Sequence, residues 1–122
     1  MKLENTQIQM RKGVLEFCIL NIISRGAVYA SEMLDELTNA KIMVVEGTLY
    51  PLLTRLRKAD LVEYQWVESD AGPPRKYYTL THKGEDFLEG LTDTWLELTS
   101  STKRILANSK KKRKSTNGLE SD

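Results

Sequence analysis

Between Val45 and Val62 the chain alternates in a way few folds can use. Apolar residues fall at 49, 52, 53 and 56, and polar ones at 48, 54, 55, 57 and 58. This spacing predicts a short helix with one face on a core and the other open to a partner. A strand-like stretch, Leu61 to Val67, follows at once, with Val62, Tyr64 and Trp66 alternating against Glu63 and Gln65. The turn-forming run Ser69–Asp70–Ala71–Gly72–Pro73–Pro74 comes next, and a second alternating stretch, Arg75 to Leu80, completes a hairpin. The wing-like hairpin carries two adjacent cations, Arg75 and Lys76, just after its Gly–Pro–Pro turn.

Two helices precede this unit and one follows it. The first is expected from Thr6 or Gln9 to Arg25, stopping at Gly26. Its apolar residues, including Val14 and Phe17, wrap most of its circumference, which implies cover from more than one side. The second runs over Ser31–Asn39, with Ser31 a suitable N-cap and Met33, Leu34 and Leu37 on one face. The last begins near Thr81 and extends to Asn108. In it Leu88, Leu91, Trp95, Leu98, Thr102 and Ile105 repeat at intervals of three and four, a heptad seam whose simplest cover is a second copy. The expected fold is mainly α with a small β-hairpin: a winged helix-turn-helix over residues 1–81, a dimerisation helix over 82–108, and a basic, disordered tail over 109–122. The dimer interface is assigned to Val14, Phe17, Leu88, Leu91, Trp95, Leu98 and Ile105.

Composition narrows the classes further. The 122 residues suit one small domain with an arm, and no apolar run reaches the length of a membrane span. The start of the chain lacks a signal-peptide pattern, so a cytoplasmic, membrane-free protein is expected. The single cysteine, Cys18, lies in the apolar run Val14–Ile23 and reads as a small buried side chain. Charge is not strongly basic overall. Residues 1–109 hold 13 Lys/Arg against 15 Asp/Glu, while residues 110–122 hold 5 against 2. Any nucleic-acid contact must therefore come from where the cations lie and not from their total.

Two segments resemble one family closely. Glu46–Gly47–Thr48–Leu49–Tyr50–Pro51–Leu52–Leu53–Thr54–Arg55–Leu56 is similar to the recognition-helix signature of the PadR family of bacterial transcriptional regulators. Gly72–Pro73–Pro74–Arg75–Lys76–Tyr77–Tyr78–Thr79–Leu80–Thr81–His82–Lys83–Gly84 is similar to its wing. The likeness extends over about residues 9–106 and points to the short members with a single C-terminal helix. Three residues depart from the pattern. Val45 stands where a small polar residue often caps the helix, Asp60 where glycine usually closes it, and Pro51 lacks an N–H one turn in.

The order of elements and the resemblance define candidate residues for double-stranded DNA. Thr48, Thr54 and Arg55 have groups that reach base edges or phosphates. Tyr50 suits backbone positioning, with a phenol that donates while its ring packs; a plain core position is the alternative. Gly47 lets backbone approach DNA, or is merely a small residue tolerated at a helix start. Arg75 and Lys76 at the hairpin tip suit phosphate or minor-groove contact. Tyr29, before the second helix, is a phosphate contact by resemblance, with a packing role as the alternative. The resemblance also implies that Trp95 walls a pocket for a small aromatic or lipophilic effector between subunits. A large aromatic filling the dimer interface is the plainer account. The run Lys110–Lys114 reads as a solvated tail or as extra nonspecific affinity for DNA.

An enzyme finds little support. His82 is the one histidine, so with Cys18 there is no soft ligand set for a metal, and no cofactor is implied. No phosphate loop or nucleophile elbow occurs. Carboxylates such as Asp35–Glu36 and Glu85–Asp86 fall on polar helix faces. The expected function is sequence-specific DNA binding by a homodimeric, effector-responsive repressor acting on an inverted-repeat operator. A winged-helix protein-interaction module that lacks DNA binding is the competing reading, supported by the near-neutral charge of residues 1–109.

Overall fold

A computed structural model of the chain describes the backbone of residues 1–120 and the side-chain surroundings through Lys111. The order is α1 (Leu3–Ser24), α2 (Ala30–Asn39), α3 (Glu46–Lys58), β1 (Val62–Ser69), β2 (Gly72–Leu80) and α4 (His82–Glu120). The strands form an antiparallel hairpin in which Tyr64 faces Tyr78 and Trp66 faces Lys76. Val28 adds a one-residue bridge to the other edge of β2, exchanging both backbone hydrogen bonds with Tyr78 at 3.2 and 2.8 Å. Four helices and a two-stranded hairpin make the mainly helical winged-helix fold expected from the sequence.

The first compact unit spans Met1–Glu89. Its core draws Ile19, Leu20 and Ile23 from α1, Met33 and Leu37 from α2, and Leu49, Leu53 and Leu56 from α3, all 2% exposed or less. The last three recur at four and three residues, so burying them fixes how α3 is rotated about its own axis. Truncating any one of them to alanine removes a fully buried side chain, at a cost of about 2–5 kcal/mol.

The joint after α3 is closed by two local devices. Asp60 takes a positive φ of 63°, which ends the helix and sends the chain into β1. Thr81 then donates to the Asp60 carbonyl at 2.7 Å and accepts from the Gly84 N–H at 2.9 Å, capping α4 while tying it to the end of α3. Gly84 lies so close to β1 that a Cβ there would stand 2.0 Å from the Leu61 carbonyl oxygen. The start of α4 therefore belongs to the first unit, and Leu88, 8% exposed, is part of its own chain's core.

The second unit, Gly90–Asp122, continues α4. Leu91 is half-buried, whereas Leu98 and Ile105 are 58% and 68% exposed.

Several boundaries differ from expectation for identifiable reasons. α1 begins at Leu3, because most of residues 3–12, Asn5 and Thr6 excepted, are good helix formers, although they carry no apolar stripe. Tyr29, not Ser31, caps α2; its backbone N–H donates to Glu32 Oε1 at 3.2 Å. Gly72, Pro73 and Pro74 lie in β2 and not in the turn, which shrinks to Asp70–Ala71. Arg75 and Lys76 thus sit down the strand opposite Val67 and Trp66 and not at the hairpin tip. The helix end expected at Asn108 is passed without interruption to Glu120; of the tail assigned to 109–122, the last two residues lie outside the described ones.

Candidate nucleic-acid interface

The wing carries two cations, and each rests on aromatic rings. Successive residues of a strand point to opposite faces, so Arg75 and Lys76 find different partners. The Arg75 guanidinium lies 4.4 Å from the centre of the Tyr29 ring, which meets Tyr77 edge-on at 5.2 Å. Lys76 Nζ lies 4.6 Å from the Tyr64 ring centre and 5.3 Å from that of Trp66. Cation–π contact restrains a long side chain while its N–H groups remain available to an anion. Among the described residues no carboxylate pairs with either cation to neutralise it.

One groove brings these groups together with the helices. About 400 Å³ in volume, it is lined by Tyr29, Ala30 and Ser31 at the start of α2, Tyr50 of α3, and Trp66, Pro74, Arg75, Lys76 and Tyr78 of the hairpin. Its wall holds two cations and several hydroxyls but no carboxylate. The α2 N-terminus lies beside it, where the Glu32 carboxylate accepts from the Tyr29 N–H at 3.2 Å. Tyr50 is 49% exposed, which excludes a core role. Tyr78 is buried, and that burial raises its phenol above the ordinary tyrosine value, so it lines the groove as a neutral donor. A second depression, of about 490 Å³, is lined by Glu32, Asp35 and Glu36 with Arg25, which pairs with Glu36. Its carboxylates suit it poorly to a polyanion.

The outer face of α3 is unusually bare. Gly47 and Pro51 lie on it with Thr54 and Lys58, and a Cβ at Gly47 would meet nothing within 4 Å. Pro51 cannot donate to the Gly47 carbonyl, so that acceptor lacks its i+4 helical bond. Val45, the N-cap, makes no side-chain cap, so the first turn also leaves backbone N–H groups outward. A flat surface can therefore approach this helix closely.

The sequence-derived candidates separate into three sets. Tyr29, Tyr50, Arg75 and Lys76 converge on the groove. Gly47, Thr48 and Thr54 stay exposed on α3, with the Thr54 hydroxyl donating to its own helix at the Tyr50 carbonyl, 3.1 Å away. Arg55 forms a 2.9 Å ion pair with Glu16 of α1 while its side chain stays 61% exposed. Three contributors escaped the sequence reading. Trp66, 62% exposed, walls the groove; Lys58 lies one turn beyond Thr54; Arg57 stands 5.9 Å from the Tyr64 ring. Trp66 was legible, since its alternation partner across the turn is Lys76, whereas the Arg57 contact depends on the fold.

Other chemistry is sparse. Among the described residues no cluster of three His, Cys, Asp or Glu side chains could hold a metal, and no helix is long and apolar enough to cross a membrane. Cys18 is half-buried, and burial pushes its thiol above the ordinary value, which disfavours a reactive thiolate.

Comparison with known proteins bears on the family and the fold. Residues 19–90 match the model of the transcriptional regulator PadR-like family. The chain is 53% identical to a PadR-like transcription factor of Bacteroides fragilis, over 83% of this chain and 98% of that one, with a TM-score of 0.70. It is 41% identical to a PadR-like transcriptional regulator of Bacillus cereus, covering 80% and 96%, with a TM-score of 0.73. An uncharacterized protein of Lysinibacillus sphaericus is 32% identical over 71% of this chain and 83% of its own length.

Proposed function

This chain belongs to the PadR-like family of transcriptional regulators, and from that premise we propose that it binds operator DNA as a homodimer and represses transcription. The observation that carries the reading is the groove, lined by no carboxylate, in which Tyr29, Tyr50, Arg75 and Lys76 meet at the start of α2. Duplex phosphates sit in this groove, and the bare outer face of α3 enters the adjacent major groove. Gly47, Thr48 and Thr54 stand at base edges, with Lys58 behind them. Arg55 acts one step back, holding α3 to α1 through Glu16.

Two copies pair through the seam of α4, where Leu98 and Ile105 are exposed along the chain and Trp95 is 36% exposed. Val14 and Phe17 of α1 and Leu91 of α4, all half-buried, are further candidates for contact with the second copy. A two-fold dimer reads an inverted repeat with half-sites about one helical turn apart. Trp95 offers a small aromatic or lipophilic effector a flat apolar surface, and such a ligand acts by shifting the spacing of the two α3 helices. The protein works in the cytoplasm without a cofactor.

A titration of the full chain with its own upstream promoter duplex, followed by fluorescence anisotropy, tests this. Salt-sensitive binding of one dimer, far tighter than to a scrambled duplex, is the expected result. Equal, weak affinity for both duplexes would instead favour a winged-helix protein-interaction module.

A further inference from the structure

The segment between α2 and α3 turns two large apolar side chains outward. Ile42 and Val44 are half-buried, with the Ile42 N–H donating to the Leu37 carbonyl at 2.8 Å. Met43 and Val45 are 76% and 68% exposed. Such alternation belongs to extended chain, and Val45 itself is extended, with φ −104° and ψ 159°. Met43 and Val45 therefore share the outer side of this segment. Lys41, just before them, is also exposed, and residues 40–45 contain no carboxylate.

Single exposed apolar residues are ordinary on a protein surface. Position sets Val45 apart. It is the N-cap of α3, where its carbonyl accepts from the Thr48 and Leu49 N–H groups at 2.9 and 3.1 Å, yet its side chain makes no cap. Valine is among the poorest residues at such a site, and serine, threonine, asparagine and aspartate are the best. Nor does Val45 serve the core, which α3 enters first at Leu49. Helix stability thus favours a polar residue at this position, and burial gives valine no compensating gain.

The surroundings identify what such a side chain can meet. In helix-turn-helix docking it is the N-terminal residues of the recognition helix that reach base edges. Two residues after Val45, a Cβ at Gly47 would meet nothing within 4 Å, so DNA can come close to this end of α3. Glu46, exposed beside Val45, opposes a phosphate there, which leaves the bases. Among the groups that base pairs present in the major groove, the C5-methyl of thymine is the apolar one, and alkyl side chains recognise it by contact. We propose that Val45 packs on a thymine methyl in each half-site and is a specificity-determining residue, with Met43 extending the apolar surface around it. This inference rests on the regulator reading above.

The test uses the full chain and its promoter duplex, with each thymine replaced in turn by uracil, which lacks the methyl and keeps every base-pairing group. At one position in each half-site the replacement should weaken binding about fourfold, the effect of one methyl-sized group returned to water. In Val45→Ser, which places a good capping residue at the helix start and so should keep the fold, the same uracil should cost nothing. This variant should also bind the unmodified promoter more weakly, with its affinity for a scrambled duplex and its salt dependence unchanged, since no cation is lost. A parent chain that binds its promoter normally and tolerates uracil everywhere overturns this inference and leaves the regulator reading standing. A uracil penalty that persists in Val45→Ser overturns it as well and gives the methyl to another side chain, such as Thr48. If Val45→Ser binds both duplexes like the parent but loses self-association, the apolar pair belongs to an interface with a second copy and the inference fails. Failure of the parent chain to prefer its promoter over the scrambled duplex would remove both readings.

Discussion

The guanidinium of Arg75, on the wing, lies 4.4 Å from the ring of Tyr29, the residue that starts α2. One contact thus couples the two elements that border the proposed phosphate seat. Replacing Tyr29 by Leu should free the arginine and weaken operator binding about two- to fivefold, the range of an exposed cation–π contact. Tyr29→Phe keeps the ring and should retain most of the affinity. Equal losses in both variants would assign the effect to the hydroxyl.

Gly84 and Gly47 make a matched pair. A methyl at Gly84 meets the Leu61 carbonyl at 2.0 Å, so Gly84→Ala must shift the start of α4 against β1. Thermal or urea unfolding should show a loss of about 2–3 kcal/mol. At Gly47 the added methyl meets nothing within 4 Å. Gly47→Ala should therefore stabilise the fold by up to about 1 kcal/mol through helix propensity. The same variant should bind operator DNA at least severalfold more weakly. Unimpaired binding would show that α3 does not approach DNA at its first turn.

Asp60 holds a φ of 63° that L-residues adopt at a cost. Asp60→Gly should raise stability by about 1 kcal/mol, measured as a shift in the denaturation midpoint. No gain would mean that the Asp60 side chain stabilises the turn in a way its backbone geometry does not reveal.

Much of the fold was legible because it rests on short-range periodicity. The four helices and the hairpin follow from apolar spacing, and the odd residue at the α3 exit, Asp60, takes the left-handed turn that glycine would favour. What escaped depends on long-range meetings or on backbone alone. The ion pair of Arg55 with Glu16 joins residues far apart in sequence, and no local pattern announces it. Gly72, Pro73 and Pro74 have turn composition yet lie in β2, leaving the turn to Asp70–Ala71. The Val28 bridge involves a single residue and leaves no pattern to read. Tyr29, Tyr50, Arg75 and Lys76 were each picked out by type and position. Their convergence on one groove, with Trp66 beside them, needed the fold.

The exposed seam of α4 predicts an oligomeric change without loss of fold. Leu98 and Ile105 are already exposed in the single chain, so charging them should spare its core. Leu98→Glu with Ile105→Glu should give monomers by analytical ultracentrifugation, with helix content kept in circular dichroism. DNA affinity should fall steeply, because one half-site contact replaces two. A dimer that survives these changes places the interface elsewhere.

The central claim is that duplex DNA occupies the groove walled by Tyr29, Tyr50, Trp66, Arg75 and Lys76. Its most direct test uses a Trp95→Phe chain, in which Trp66 is the remaining tryptophan. Promoter DNA is titrated while Trp66 emission and DNA anisotropy are recorded on the same samples. The account predicts that Trp66 emission changes and saturates at the same DNA concentration as the anisotropy. Tight DNA binding that leaves Trp66 emission unchanged would contradict it.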